Sequence, residues 1–152
     1  MKIALTILLV LVLAGGGYFY YLGKASRKGN SPGLVSQKLA PCVSELNCVC
    51  TEYAPGDASH IAPIQISNAD SELISALQAV IEEMGGIVQT VDGSYIAATF
   101  ESAIFGFVDD FEVRIDETNG LVHVRSASRV GRSDLGANRK RVARFAELAS
   151  RS

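Results

Sequence analysis

From Phe107 to Asp116 polar and apolar residues alternate almost without a break. Phe107, Asp109, Phe111, Val113 and Ile115 fall on one side of an extended strand, and Val108, Asp110, Glu112, Arg114 and Asp116 on the other. Glu117-Thr118-Asn119-Gly120 is a turn signal, and Leu121 to Arg129 forms the returning strand. If Asp116 faces Leu121, then Ile115 meets Val122, Val113 meets Val124, Phe111 meets Ser126 and Asp109 meets Ser128 on the inner face. On the outer face, Glu112 meets Arg125 and Arg114 meets His123 in a solvent-facing charged ladder.

The preceding segments give a consistent picture. His60 to Ile66 alternates weakly around Pro63, which allows at most an edge strand. Ser67, Asn68 and Asp70 offer capping oxygens, and Leu73, Ile74, Leu77, Val80, Ile81 and Met84 form a helical stripe that Gly85-Gly86 ends. Ile87 to Val91 and Tyr95 to Ser102 read as strands joined through Asp92-Gly93-Ser94.

Beyond the hairpin, Ser133 or Asp134 caps a helix from about Leu135 to Ala149. Its stripe runs through Leu135, Asn138, Val142, Phe145, Ala146 and Ala149, with Arg139 at the border and Lys140, Arg141 and Arg144 facing away. The order β-α-β-β-β-β-α predicts an α+β two-layer sandwich: an antiparallel sheet of about four to five strands with two helices on one face.

The N-terminus has another pattern. Ile3 to Leu22 holds no charge and at helical rise covers roughly 30 Å, enough for a bilayer core. Tyr18, Tyr20 and Tyr21 stand at its far end, where amphipathic rings favour the membrane interface. We read residues 1–22 as a retained signal anchor. The small residues Ala14 and Gly16 also have signal-peptidase spacing, but cleavage there would expose an apolar new terminus.

Lys24, Arg27 and Lys28 outnumber Lys2, which alone would favour a cytoplasmic domain. An extreme N-terminal segment of this kind nevertheless usually exports the domain behind it, and we expect a bacterial inner-membrane protein with a periplasmic domain. Residues 23–40, with Gly23, Gly29, Pro32 and Gly33, read as an exposed flexible tether, and residues 41–150 as a single domain.

Composition narrows the chemistry. A net charge of −2 over 152 residues gives no basic field for nucleic acid, which is not expected as a partner. Cys42, Cys48 and Cys50 lie too close together, with only His60 as a fourth ligand, to predict a metal; no cofactor is expected either. In an oxidising compartment two of the three pair, Cys42 with Cys48 or Cys50, and one is left over.

Asp109, Ser126, Ser128 and Asn138 fall on inward faces and need hydrogen-bond partners. Arg129 and Arg139 are long enough to reach Asp109. The leading expectation is a polar network that ties the last helix to the hairpin. The alternatives are an anion pocket from Arg125, Arg129 and Arg139 with the helix N-terminus at Ser133 and Asp134, or a hydrolytic site from the cluster of Asp109, Ser126, Ser128, Arg129 and Asn138. Asp134 already occupies that positive end. No Ser/His/Asp set assembles, since His123 is predicted to face outward, and the Asp109 and Asp110 side chains point to opposite faces.

The runs GFVDDFEVRI, VRSASRVG and SDLGANRKRV, with APCVSELNCVC upstream, resemble the small bacterial and plastid family termed domain of unknown function 1499. The resemblance covers about Cys42 to Leu148. It implies a compact domain often preceded by a secretion or membrane segment, and it implies no activity. It also implies that Asp109, Asp110, Arg125, Ser126, Ser128, Arg129, Ser133, Asp134, Asn138, Arg139 and Arg141 occupy the family's characteristic motif, whereas Cys50 departs from its pattern. The expectation is therefore a membrane-tethered, non-enzymatic binding or scaffold module, whose partner is an envelope protein or a small anion.

Overall fold

The computed structural model describes residues 2–66 and 72–151. Its centre is the hairpin of β7 (Val108–Asp116) and β8 (Leu121–Ser128), which pair in the expected register, from Asp109 opposite Ser128 to Asp116 opposite Leu121. β6 (Tyr95–Glu101) pairs with β7, and β5 (Ile87–Asp92) lies beyond it at the edge. On the other side, β8 is paired by β3 (Cys48–Cys50) and by β4 (Ile64–Gln65), the edge strand that Pro63 allowed. The sheet thus has six strands, all paired antiparallel. β3 is the addition to the expected set; three residues are too few for a period of two to announce itself.

One face of this sheet carries α2 (Leu73–Glu83) and α3 (Ala137–Ala149). Leu77, Val80 and Ile81 from α2, with Val142, Phe145 and Leu148 from α3, pack on Ile96, Phe100, Phe111, Val113, Val122 and Val124. Phe111 sits between Phe100 and Phe145 in edge-on contacts with centroids 5.4 and 5.1 Å away, the geometry that the aromatic quadrupole favours. α2 ends through Gly85 at φ 84°, and a Cβ on Gly86 would come within 2.7 Å of both Ile81 and Phe100. The caps expected at Ser67, Asn68 and Asp70 lie outside the described residues.

α3 starts two residues later than expected. Leu135 is not on its stripe: it has φ 53° and is 89% exposed. Asp134 does cap the helix, its carboxylate accepting the amides of Gly136 (2.9 Å) and Asn138 (2.7 Å).

The opposite sheet face corrects a further expectation. The ladder predicted to face solvent is buried, with Glu112 at 0% exposure and Asp110 and Arg125 nearly as inaccessible. Its cover is the segment read as a free tether. Ser26 Oγ accepts from the Val108 amide (2.9 Å), Ser31 donates to Asp110 (2.9 Å), and the Gly33 amide donates to Glu112 (3.0 Å). A small hairpin, β1 (Leu34–Val35) with β2 (Lys38–Leu39), places Leu39 in a second cluster with Cys50, Tyr95 and Ala97. The Gly, Ser and Pro composition that suggested flexibility supplies the free amides and hydroxyls that buried carboxylates need.

Preceding all this is α1 (Lys2–Ser26), the one helix among the described residues long and apolar enough to cross a membrane; its apolar stretch is not covered by the rest of the chain. It runs one turn past Leu22 and meets the domain at its end. Phe19 contacts Phe105 and Phe107 at 5.3 and 6.4 Å between centroids, and a Cβ on Gly23 would lie 1.8 Å from the Phe105 carbonyl oxygen, so only glycine fits there.

Because Phe111 is fully buried between two rings, Phe111→Ala is expected to cost about 3–5 kcal/mol. A lowered urea midpoint at unchanged slope would show it.

Candidate functional site

The polar residues of β7, β8 and α3 separate into two networks, one on each side of the sheet. On the helix side Asn138 is the hub, fully buried. Its Oδ1 accepts from Ser126 Oγ (2.6 Å) and Arg141 (2.6 Å), and its Nδ2 donates to the Asn47 carbonyl (2.9 Å) and to Ser128 Oγ (3.1 Å). Arg141 also donates to Ser126 Oγ, holds Asp109 at 2.8 Å and lies 4.7 Å from the Phe100 ring centroid. The groups that Asn138 engages come from β8, α3 and the residue just before β3, so it fixes those elements together.

On the opposite side, Arg129 clamps Asp110 through Nε (2.9 Å) and Nη2 (2.6 Å) and donates to the Ser26 carbonyl. Arg125 pairs with Glu112 at 2.7 Å, and Tyr95 donates to the same carboxylate at 2.7 Å. Arg114 pairs with Glu52. Burial, and then the Glu112 carboxylate to which it donates, push the Tyr95 phenol well above its ordinary pKa.

This geometry revises several placements. Asp109 is held by Arg141, which was expected to face away, and not by Arg129 or Arg139; the flexible Arg141 stem carries its guanidinium across Phe100 back to the sheet. Arg129 serves the other face because its partner is Asp110. Arg139 donates to the carbonyls of Ala58 and His60 (2.7 and 3.0 Å), bracing the loop before β4. Arg125 lies across the sheet from the helix terminus. Ser133 accepts only the Leu135 amide (3.3 Å), and the positive end of α3 is occupied by Asp134.

His123 lies on the outer face, as expected, but is largely covered there. Its Nδ1 meets Thr51 Oγ1 at 3.0 Å, on the side of the sheet away from Ser126, so no Ser/His/Asp arrangement forms. The Thr51 hydroxyl also accepts the Val124 amide, so one side chain joins the His123 ring to the β8 backbone.

Cys42 and Cys48 are joined, and Cys50 is the buried free thiol, raised in pKa by burial first. With two of the three thiols oxidised, the thiolate and His60 ligand set is lost; no three His, Cys, Asp or Glu side chains among the described residues are placed to hold a metal.

Tyr95, Glu52 and Asn47 were not singled out from sequence, and Glu112 was paired correctly with Arg125 but expected in solvent. The available signal was the charge alternation Asp110, Glu112, Arg114, which marks an exposed face unless a second layer covers it. Clefts flank the networks, among them one of about 410 Å³ beside Phe100 and Arg141. Another, of about 480 Å³, lies between residues 27–33 and β5–β6, with Arg129 and Tyr95 in its wall. A third, of about 410 Å³, opens beside the end of α1 and takes in Asp109, Ser128, Ser133 and Asp134.

Fold and site together define a small α+β domain, its motif residues joined to one another, behind one helix able to span a membrane. The chain belongs to the family described as protein of unknown function DUF1499, whose model matches residues 38–148. No curated protein and no solved structure matches it.

Two outcomes test the energetics. Arg125→Ala strands Glu112 without its counter-charge and is expected to cost about 3–5 kcal/mol, whereas the pair Arg125→Met with Glu112→Leu recovers most of that loss. Equal destabilisation by the single and double changes would show that packing, not charge pairing, dominates. Separately, burial first of all lowers the His123 pKa below its ordinary 6.5. In the window below 6.5 the unfolded chain binds the extra proton, so stability is full above it and falls as pH drops through it. Urea midpoints at about pH 7.5 and 5.5 should differ, and His123→Asn should flatten the difference.

Proposed function

We propose that this chain is a non-enzymatic envelope module, tethered to the bacterial inner membrane by α1, whose domain works in the periplasm by binding or scaffolding an envelope partner. The observation that carries this reading is the disposition of its charged motif. Asp109, Asp110 and Glu112 are each held by an arginine at 2.6–2.8 Å, and Ser126 and Ser128 are bonded to Asn138. A nucleophile needs a base within reach that is not held by a counter-charge; here each carboxylate is paired with an arginine and each serine hydroxyl bonds Asn138, contacts that hold the fold. The anion-pocket alternative loses support on the same ground, because Arg125, Arg129, Arg139 and Arg141 all have internal acceptors.

Export draws support from the Cys42–Cys48 bridge, since disulfides persist in oxidising compartments and are rare in the reducing cytoplasm. The tether draws support from the length and apolar character of α1.

The test is complementation of an envelope phenotype in cells lacking the chain. Ser128→Ala and Asp109→Asn proteins that fold at wild-type levels should restore it, whereas replacing residues 2–22 with a cleaved signal should not. Folded but inactive Ser128→Ala or Asp109→Asn proteins would sink the non-enzymatic reading. Thiol trapping in intact cells that finds Cys42 and Cys48 reduced would sink the periplasmic one.

A further inference from the structure

α1 does not leave the domain at arm's length. Tyr18, Phe19 and Leu22, the last apolar turn of the span, line the same groove as Phe107, Val130 and Leu135. At 1.5 Å per residue, Phe19 lies only about 5 Å below Leu22 along the helix axis. When Ile3 to Leu22 fills the hydrocarbon layer, whatever touches the Phe19 ring is therefore at the membrane boundary. Two loops do so or lie beside it: 103–106, through Phe105, and 130–136, through the shared groove.

Both loops present large apolar side chains outward. Ile104 is 84% exposed and Leu135 is 89% exposed. Leu135 also takes φ 53°, a conformation that costs a side chain with a Cβ. The structure accepts both the strain and the exposure at the one end of the domain nearest the bilayer. Cations border the same end: Lys24 and Lys28 at the close of α1 and Arg132 in the second loop have no carboxylate partner among the described residues. Two carboxylates line the groove: Asp109 is matched by Arg141, and Asp134 accepts the Gly136 and Asn138 amides at the start of α3.

We infer that loops 103–106 and 130–136 form a foot that rests in the headgroup layer, with Ile104 and Leu135 inserted at the acyl boundary and the cations facing anionic phospholipid. The inference rests on the tethered reading of α1 and adds to it a fixed seating of the domain on the bilayer surface. Interfacial insertion of apolar side chains flanked by Lys and Arg is the chemistry that anionic membranes retain.

The chain contains no tryptophan, so one introduced residue reports its own surroundings. Four full-length proteins, Ile104→Trp, Leu135→Trp, Tyr20→Trp and Val91→Trp, are reconstituted into phosphatidylcholine and phosphatidylglycerol vesicles whose acyl chains are brominated near the carboxyl end. All four positions are exposed, so the core is untouched, and Val91 lies on β5 toward the end of the sheet opposite the 102–107 loop. The foot predicts that brominated lipid quenches Ile104→Trp and Leu135→Trp at least half as strongly as Tyr20→Trp, and leaves Val91→Trp unchanged. Quenching of Tyr20→Trp alone, with the two loop positions open to aqueous acrylamide, overturns the foot and leaves the tether standing. An unquenched Tyr20→Trp overturns the tether and the foot with it.

Discussion

A carboxylate withdrawn from water must be met by donors, or its desolvation undoes the packing that buried it. β7 withdraws three in four residues: Asp109 toward the helices, and Asp110 and Glu112 toward the N-terminal segment. Most of the architecture can be traced to how these are answered. Arg125 and Arg129 come from β8 and the residue just after it, directly alongside, and Arg141 comes from α3 across the Phe100 ring. The Tyr95 hydroxyl, Ser31 and the Gly33 amide add further donors, and the last two draw residues 26–40 onto the sheet as a partial third layer. Charge pairing here is a specification as much as a source of stability: apolar replacements could pack as well, but would not dictate which segment lies where.

The hairpin register was legible because apolar alternation and the Asn119-Gly120 turn agree, and a slip of one residue would have turned Phe111, Val113 and Ile115 away from the helices. α2 was legible for the same reason, from a stripe with a glycine stop. The second buried face was not. A run of Asp, Glu and Arg reads as solvent-facing until something covers it, and the cover came from Gly, Ser and Pro residues whose usual meaning is a loose linker. β3 was hidden by its length, and Arg141 by the reach of its side chain, since helical phase places a Cα but not a guanidinium several bonds away.

The candidate site shows the same division. Asp109, Ser126, Ser128 and Asn138 do converge, as inward-facing polar groups in a small core must. What periodicity could not reveal is that convergence satisfies them. Asn138 spends both its amide hydrogens and its oxygen on β8, α3 and the start of β3, and Arg141 closes the set. Dense polarity in a sequence motif therefore marks here the joint where helix, hairpin and upstream strand are held together.

Arg129 extends that joint to the apolar N-terminal helix. The guanidinium that clamps Asp110 also donates to the carbonyl of Ser26, the last residue of α1, at 3.3 Å, and Gly29 packs closely against its aliphatic stem. Ser26 in turn accepts the first amide of β7, and Gly23 lets the helix approach the Phe105 carbonyl without a Cβ in the way. Together these contacts tie the end of α1 to β7, to the loop before it and, through Arg129, to Asp110. A freely jointed linker would let the domain sample every orientation above a membrane. This connection transmits the orientation of the helix to the sheet, so the same residues that stabilise the domain also fix how it is set against α1.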